Sequence, residues 1–110
     1  MLPNVWLVRG RVVDAVKQPV RGVFVSLYDK DLLLSDVLGS TLTDDDGNFQ
    51  ILYRTEAFRG LFERKPDLYV RVFDQRGTVL YSSQDAIRPN AGRVEEFQIV
   101  LSEKMDKGEK

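Results

Sequence analysis

The residues most like a chemical signature in this chain are Asp44, Asp45 and Asp46, which precede Gly47 in the stretch TLTDDDGNFQILY. Carboxylates clustered around a glycine bend are how calcium loops wrap their cation. Such loops also need further ligands and a distant Glu, whereas Gly47-Asn48-Phe49-Gln50-Ile51 returns at once to apolar alternation. The pattern therefore predicts a turn with Gly47 at positive φ and an Asp side chain accepting backbone N–H groups, and no metal.

A second acidic group is looser. Asp29 and Asp31 are two apart at a strand end and Asp36 follows, so residues 29 to 46 hold six Asp and one Lys. Solvated loop carboxylates are the plainer reading, a weak hard-cation site the sharper one. Between them, DLLLSDVL places Leu32, Leu33 and Leu34 in what should be a connection. One or two of these leucines can plug the end of a core. The functional reading is an apolar contact loop rimmed by Asp31 and Asp36, which makes residues 31, 32, 33, 34 and 36 the candidate partner-binding set.

Little else suggests catalysis. The chain has no histidine, so it lacks the commonest general base and the imidazole metal ligands, and Ser82-Ser83 have no His to activate them. It has no cysteine either, and hence no disulfide or thiolate site. Glu95 and Glu96 are adjacent in a strand and point to opposite faces, a poor geometry for paired-carboxylate chemistry. The glycines never form a phosphate-cradling run before a helix. No catalytic residue, metal or cofactor is expected. For a carbohydrate-binding alternative, Trp6, Tyr69 and Tyr81 are the aromatic side chains on which a sugar would stack.

The elements that must position these residues repeat with a period of two. Strands are predicted over 5–14, 23–31, 38–44, 48–53, 66–74, 78–83 and 94–101, bounded by Gly, Pro, Asn and Asp. Val23, Val25 and Leu27 share one face, which should be the core side. Gly10 marks a bulge or a close backbone approach. Asp46-Gly47 predicts a hairpin joining the third and fourth strands. Phe58, Leu61 and Phe62, spaced i, i+3, i+4, predict one short helix near 55–63 with Thr55 as its N-cap.

At 110 residues the chain fits one domain, expected over 1–102, with 103–110 as a flexible polar tail. Sixteen basic against 17 acidic residues give a net charge of −1, which offers no general attraction to nucleic acid or anionic membrane. No stretch approaches the roughly 18 apolar residues of a membrane span, and no signal peptide is visible, so the compartment stays open.

Three stretches together, GRVVDAVKQPVRGVFVSLYDKD, LGSTLTDDDGNFQILY and KPDLYVRVFD, resemble the transthyretin-like or carboxypeptidase-regulatory-like β-sandwich modules over about residues 7 to 101. The resemblance implies a seven-stranded antiparallel Greek-key β-sandwich. It is nearest in feel to copies inside large bacterial toxin-complex and secretion-particle proteins, which look like scaffolding or adaptor units. The hydroxyisourate hydrolase branch resembles a His/Arg site closed by Tyr-Arg-Gly-Ser; this chain has no His and its last residues are Gly108-Glu109-Lys110, so that activity is not expected. The implied role is a non-catalytic binding, adaptor or structural module acting through protein contacts, within a parent chain or on a separate partner. Open sheet edges make a homodimer a further expectation. The alternative is a small-ligand or carbohydrate-binding module with a weak cation site.

Overall fold

The period-two runs form seven strands in the computed structural model, which describes residues 4–30, 37–58 and 65–103. They are β1 (Val5–Val13), β2 (Phe24–Asp29), β3 (Val37–Leu42), β4 (Asn48–Arg54), β5 (Leu68–Phe73), β6 (Val79–Ser82) and β7 (Val94–Val100). Two sheets face each other, one in the order β4-β1-β7 and the other β3-β2-β5-β6. Trp6, Val8 and Val12 of β1, Phe49, Ile51 and Tyr53 of β4, and Phe97 and Ile99 of β7 meet Val25 and Leu27 of β2 and Leu68, Val70 and Val72 of β5 in one buried core. Val23, Val25 and Leu27 do face inward, at 4, 0 and 0% exposure.

Three expectations are corrected. The sandwich is not wholly antiparallel, because β1 and β7 run parallel, Leu7 opposite Val94 through Val13 opposite Val100. The acidic turn does not make a hairpin of β3 and β4: β3 pairs with β2 and β4 with β1, so the chain crosses between sheets there. Thr43 stays with β2's sheet, its N–H donating to the Val23 carbonyl and its hydroxyl accepting the Val23 N–H, while Asn48 aligns with Arg11 of β1. The predicted helix near 55–63 is one turn of 3₁₀ helix, Thr55–Ala57; residues 59 to 64 lie outside the described residues. Thr55 does not cap it. Arg54 holds the N-cap position without a side-chain bond, and the Thr55 hydroxyl instead accepts from the Trp6 indole at 2.8 Å.

Gly10 serves close approach and not a bulge. Its register with Phe49 and Phe97 is regular, and an added Cβ would fall on the Phe97 carbonyl oxygen.

One end of the sandwich is closed by three turns of one design, at Asp14, Asp44 and Asp74. In each, the Asp Oδ1 accepts the N–H groups two and four residues on, at 2.9 to 3.0 Å. The Asp carbonyl accepts from the third residue on, and the Asp N–H donates to the carbonyl of the fourth. The third residue has positive φ every time: Lys17 at 70°, Gly47 at 78° and Gly77 at 87°. The connections between β2 and β3, β4 and β5, and β6 and β7 lie at the opposite end.

Candidate functional site

The acidic turn is used up by its own backbone. With Asp44 Oδ1 holding Asp46 and Asn48, and Asp45 paired loosely to Arg21 at 3.4 Å, these carboxylates have structural employment. Asp29 is not a solvated loop carboxylate: it is fully buried and accepts the Asp67 N–H at 3.3 Å. Asp31, Leu32, Leu33, Leu34 and Asp36 lie outside the described residues. Among the described residues no three His, Cys, Asp or Glu side chains gather as metal ligands would. Ser83 is structural too, its hydroxyl accepting the Val70 N–H at 2.9 Å.

The sugar-stacking expectation needs correction. Trp6 and Tyr69 are only 3 and 2% exposed, and Tyr81 packs partly against the core. Trp6 is covered because its strand position points inward, where its ring packs edge-on against Phe58 at 5.1 Å and stacks with Tyr53 at 6.2 Å. Tyr69 lies flat on Tyr28, with ring centroids 4.8 Å apart, so each ring uses a face on the other.

At the end opposite the three aspartate turns, charged groups gather around this aromatic cluster. Arg93 lies over the Trp6 ring at 5.0 Å. Arg88 sits 3.9 Å over the Phe97 ring, donates to the Glu96 carbonyl at 2.7 Å and pairs with Glu95 at 3.2 Å. Glu95 also accepts the Gly92 N–H at 2.6 Å. Glu96 points the other way and meets Arg9 at 2.8 Å, as the alternation of adjacent strand residues requires. The Tyr53 hydroxyl is buried beside this group with no hydrogen-bond partner among the described residues. Burial, and next the Glu95 and Asp29 charges, push its ionisation far above the usual tyrosine range.

This hydroxyl gives a two-part prediction. A buried hydroxyl without a partner has lost its water for nothing, so Tyr53→Phe is expected to stabilise the protein by roughly 1 kcal/mol at neutral pH. Unfolded tyrosine ionises near pH 10 while the folded hydroxyl stays protonated. The stability this provides is complete below about pH 10 and falls by about 1.4 kcal/mol per pH unit above it. Urea melts at neutral and strongly alkaline pH should show the advantage of Tyr53→Phe widening with pH; a constant difference would mean the hydroxyl is solvated.

The surface with most to offer is the outer face of the four-stranded sheet, where directly opposed residues project side by side. Leu42, Phe24, Phe73 and Val79 form one row across all four strands. Leu42, Phe24 and Val79 are 51, 41 and 51% exposed. The next row is Ser40, Ser26, Arg71 and Ser82, in which the Ser26 and Ser40 hydroxyls bond at 2.8 Å. The third brings Val37, exposed, beside the stacked Tyr28 and Tyr69. Arg71 lies over both rings, 5.2 Å from Tyr28 and 5.7 Å from Tyr69, and donates to Gln84 Oε1 at 2.7 Å. Sequence reasoning missed this surface. Its signal was present as large apolar residues on the solvent phase of two strands, Phe24 in β2 and Phe73 in β5, where a one-sided strand should be polar. The outer face of the three-stranded sheet is more mixed, with Leu52 and Val94 exposed beside Leu7 but Arg9, Gln50 and Glu96 in the next row.

Comparison with known proteins agrees with this architecture. Among solved structures, the chain resembles a 9R-lipoxygenase from Cyanothece PCC8801 at 23% identity and TM-score 0.62, covering 96% of this chain and 18% of that one. It resembles the dioxygenase domain of a dioxygenase carbohydrate-binding protein fusion from Streptomyces sp. SirexAA-E at 20% identity and TM-score 0.57, covering 91 and 80%. A hydroxyquinol 1,2-dioxygenase from Pseudomonas putida DLL-E4 is similar at 15% identity and TM-score 0.54, covering 94 and 58%. The chain thus spans a small part of the first and less than two thirds of the third, and at these identities the likeness is one of fold. A search of the curated proteins returns no match. The model of the transthyretin-like family matches residues 10–86, most of the sandwich, and the chain belongs to that family.

Proposed function

We propose that this chain is a non-catalytic contact module, an adaptor or structural unit that meets a protein partner through the outer face of its four-stranded sheet. The observation that carries this reading is the row of Leu42, Phe24, Phe73 and Val79, which keeps apolar side chains in water across the full width of the sheet. Contiguous exposed apolar surface of this kind marks contact sites. The candidate segment 31–36 connects β2 to β3 of this same sheet in sequence and lies outside the described residues. The dioxygenase and lipoxygenase names belong to longer or distant chains. Without histidine, and with its best-placed carboxylates and hydroxyls engaged by backbone, this chain is read as the scaffold without the chemistry. The toxin-complex or secretion-particle setting remains part of the proposal only as a kind of context, a large assembly in which such a module is one contact unit.

The test uses a photo-activated cross-linking residue at position 42, in cells of the natural source, with the same residue at Gln98 on the other sheet as control. Position 42 is expected to cross-link one defined polypeptide, and Phe24→Ser with Val79→Ser to abolish the product while the melting free energy moves by no more than about 1 kcal/mol. Equal cross-linking from both faces, or none from position 42, would overturn the assignment of this surface.

A further inference from the structure

The contact face has a feature that restricts its partner. Arg71 occupies the row next to Phe24 and Phe73, with its backbone about 7 Å along the strand from Phe73. Its guanidinium leans away from that row, over the buried rings of Tyr28 and Tyr69 in the third row. An element lying along the strands from the apolar row to the tyrosine row covers the guanidinium as well. Arg71 is partly buried, its plane is held over Tyr28 and Tyr69, and its one polar partner among the described residues is the neutral Gln84. Three other arginines of the sandwich meet carboxylates, Arg9 at Glu96, Arg21 at Asp45 and Arg88 at Glu95.

Stripping water from a guanidinium that has only a neutral amide as polar partner costs more than a small apolar contact returns. We infer that the partner is an apolar protein element carrying a carboxylate beyond its apolar anchor, on the side of the tyrosine row, and that Arg71 receives this carboxylate through its free N–H groups. This rests on the reading of the sheet face as a protein contact surface. A carboxylate suits the site because a planar guanidinium fixed on one side offers paired donors, and because one positive charge matches one carboxylate. A second copy of this chain does not fit: the three rows hold apolar, hydroxyl and tyrosine side chains with Arg71 and no acid, so face-to-face pairing would cover each Arg71 without supplying it a carboxylate. An anionic lipid surface fits poorly as well, since membrane attraction of this type needs clustered bases and the rows supply one.

The experiment selects short peptides from a displayed random library on the purified protein. It then measures affinities of the synthesised winners for the wild type, Arg71→Gln, Arg71→Lys and Phe24→Ser. Winners should carry Asp or Glu within about four positions of an aromatic or branched apolar residue, the reach from the apolar row to the tyrosine row along an extended strand. Changing that acid to its amide should weaken binding to the wild type by about tenfold or more and binding to Arg71→Gln hardly at all, the signature of a direct pair. Arg71→Lys, which keeps the charge and loses the paired donors, should fall between. Acid-free winners, an amide penalty that persists in Arg71→Gln, or no winners at all would overturn the carboxylate. Winners indifferent to Phe24→Ser would instead sink the sheet face itself. Two controls close the alternatives: concentration-dependent dimers abolished by Phe24→Ser, or Arg71-dependent binding to phosphatidylcholine vesicles doped with phosphatidylserine, would each refute a protein partner of this chemistry.

Discussion

Gly47→Ala should destabilise the protein by about 2 to 4 kcal/mol, several times what the same substitution costs at Gly77. Both glycines sit third after a turn aspartate with positive φ, 78° and 87°, so both replacements carry the strain of a Cβ in the left-handed region. They differ in surroundings. A Cβ at Gly77 meets nothing within 4 Å, whereas at Gly47 it drives into the Val12 carbonyl oxygen and lies 3.1 Å from the Val20 nitrogen. Those backbone atoms are engaged, since Val12 N–H donates to the Gly47 carbonyl at 2.8 Å and Val20 N–H to the Val12 carbonyl at 3.0 Å. Relief would have to break the point where the chain crosses between sheets. Urea denaturation of the two variants separates conformational strain, about 1 kcal/mol at Gly77, from the clash that only Gly47 suffers. Equal losses would show that the approach of β1 to this turn is loose.

How much of this was legible in the sequence depends on range. Strand positions followed from alternation, because a face toward the core enforces a period of two on each strand separately. The Asp44 carboxylate, the positive φ of Gly47 and the close approach at Gly10 were readable because each is decided within a few residues. Strand partners were not. Asp-Gly between two strands fits a hairpin, and locally the turn is one, but Thr43 and Val23 hold the incoming chain to one sheet while Arg11 receives Asn48 in the other. Nothing near the turn encodes that choice, which is made by the sheets closing on a common core.

The candidate site divides the same way. Whether Trp6 and Tyr69 face solvent depends on Phe58, Tyr53 and Tyr28, residues far away in sequence. The row of Leu42, Phe24, Phe73 and Val79 comes from four strands and exists only once their registers are set. Phe24 and Phe73 carried a local hint, Phe24 most plainly as an aromatic out of phase between Val23 and Val25, since the opposite phase was already assigned to the core.

The three aspartate turns supply the other large effect, and an ordering within it. Asp14→Ala is expected to cost about 2 to 3 kcal/mol, against about 1 kcal/mol or less for Asp44→Ala and Asp74→Ala. All three carboxylates accept the same two N–H groups, so bond counting predicts equal losses. Burial breaks the tie: Asp14 is 1% exposed, Asp44 is exposed and Asp74 lies between. At the exposed turns water replaces the lost acceptor, while at Asp14 the Val16 and Gln18 N–H groups bonded at 3.0 and 2.9 Å are left without one. The same turn contains the departure from the pattern, Lys17 at φ 70° where the other two have glycine. Lys17→Gly should therefore stabilise the protein by about 1 kcal/mol, although glycine in the unfolded chain offsets part of the gain. Melting curves of the four variants test both statements, and they are linked. If Asp14→Ala costs no more than Asp44→Ala and Lys17→Gly gains nothing, the first turn is not held in the geometry of the other two, and the closure of this end of the sandwich rests on the crossing at Gly47 alone.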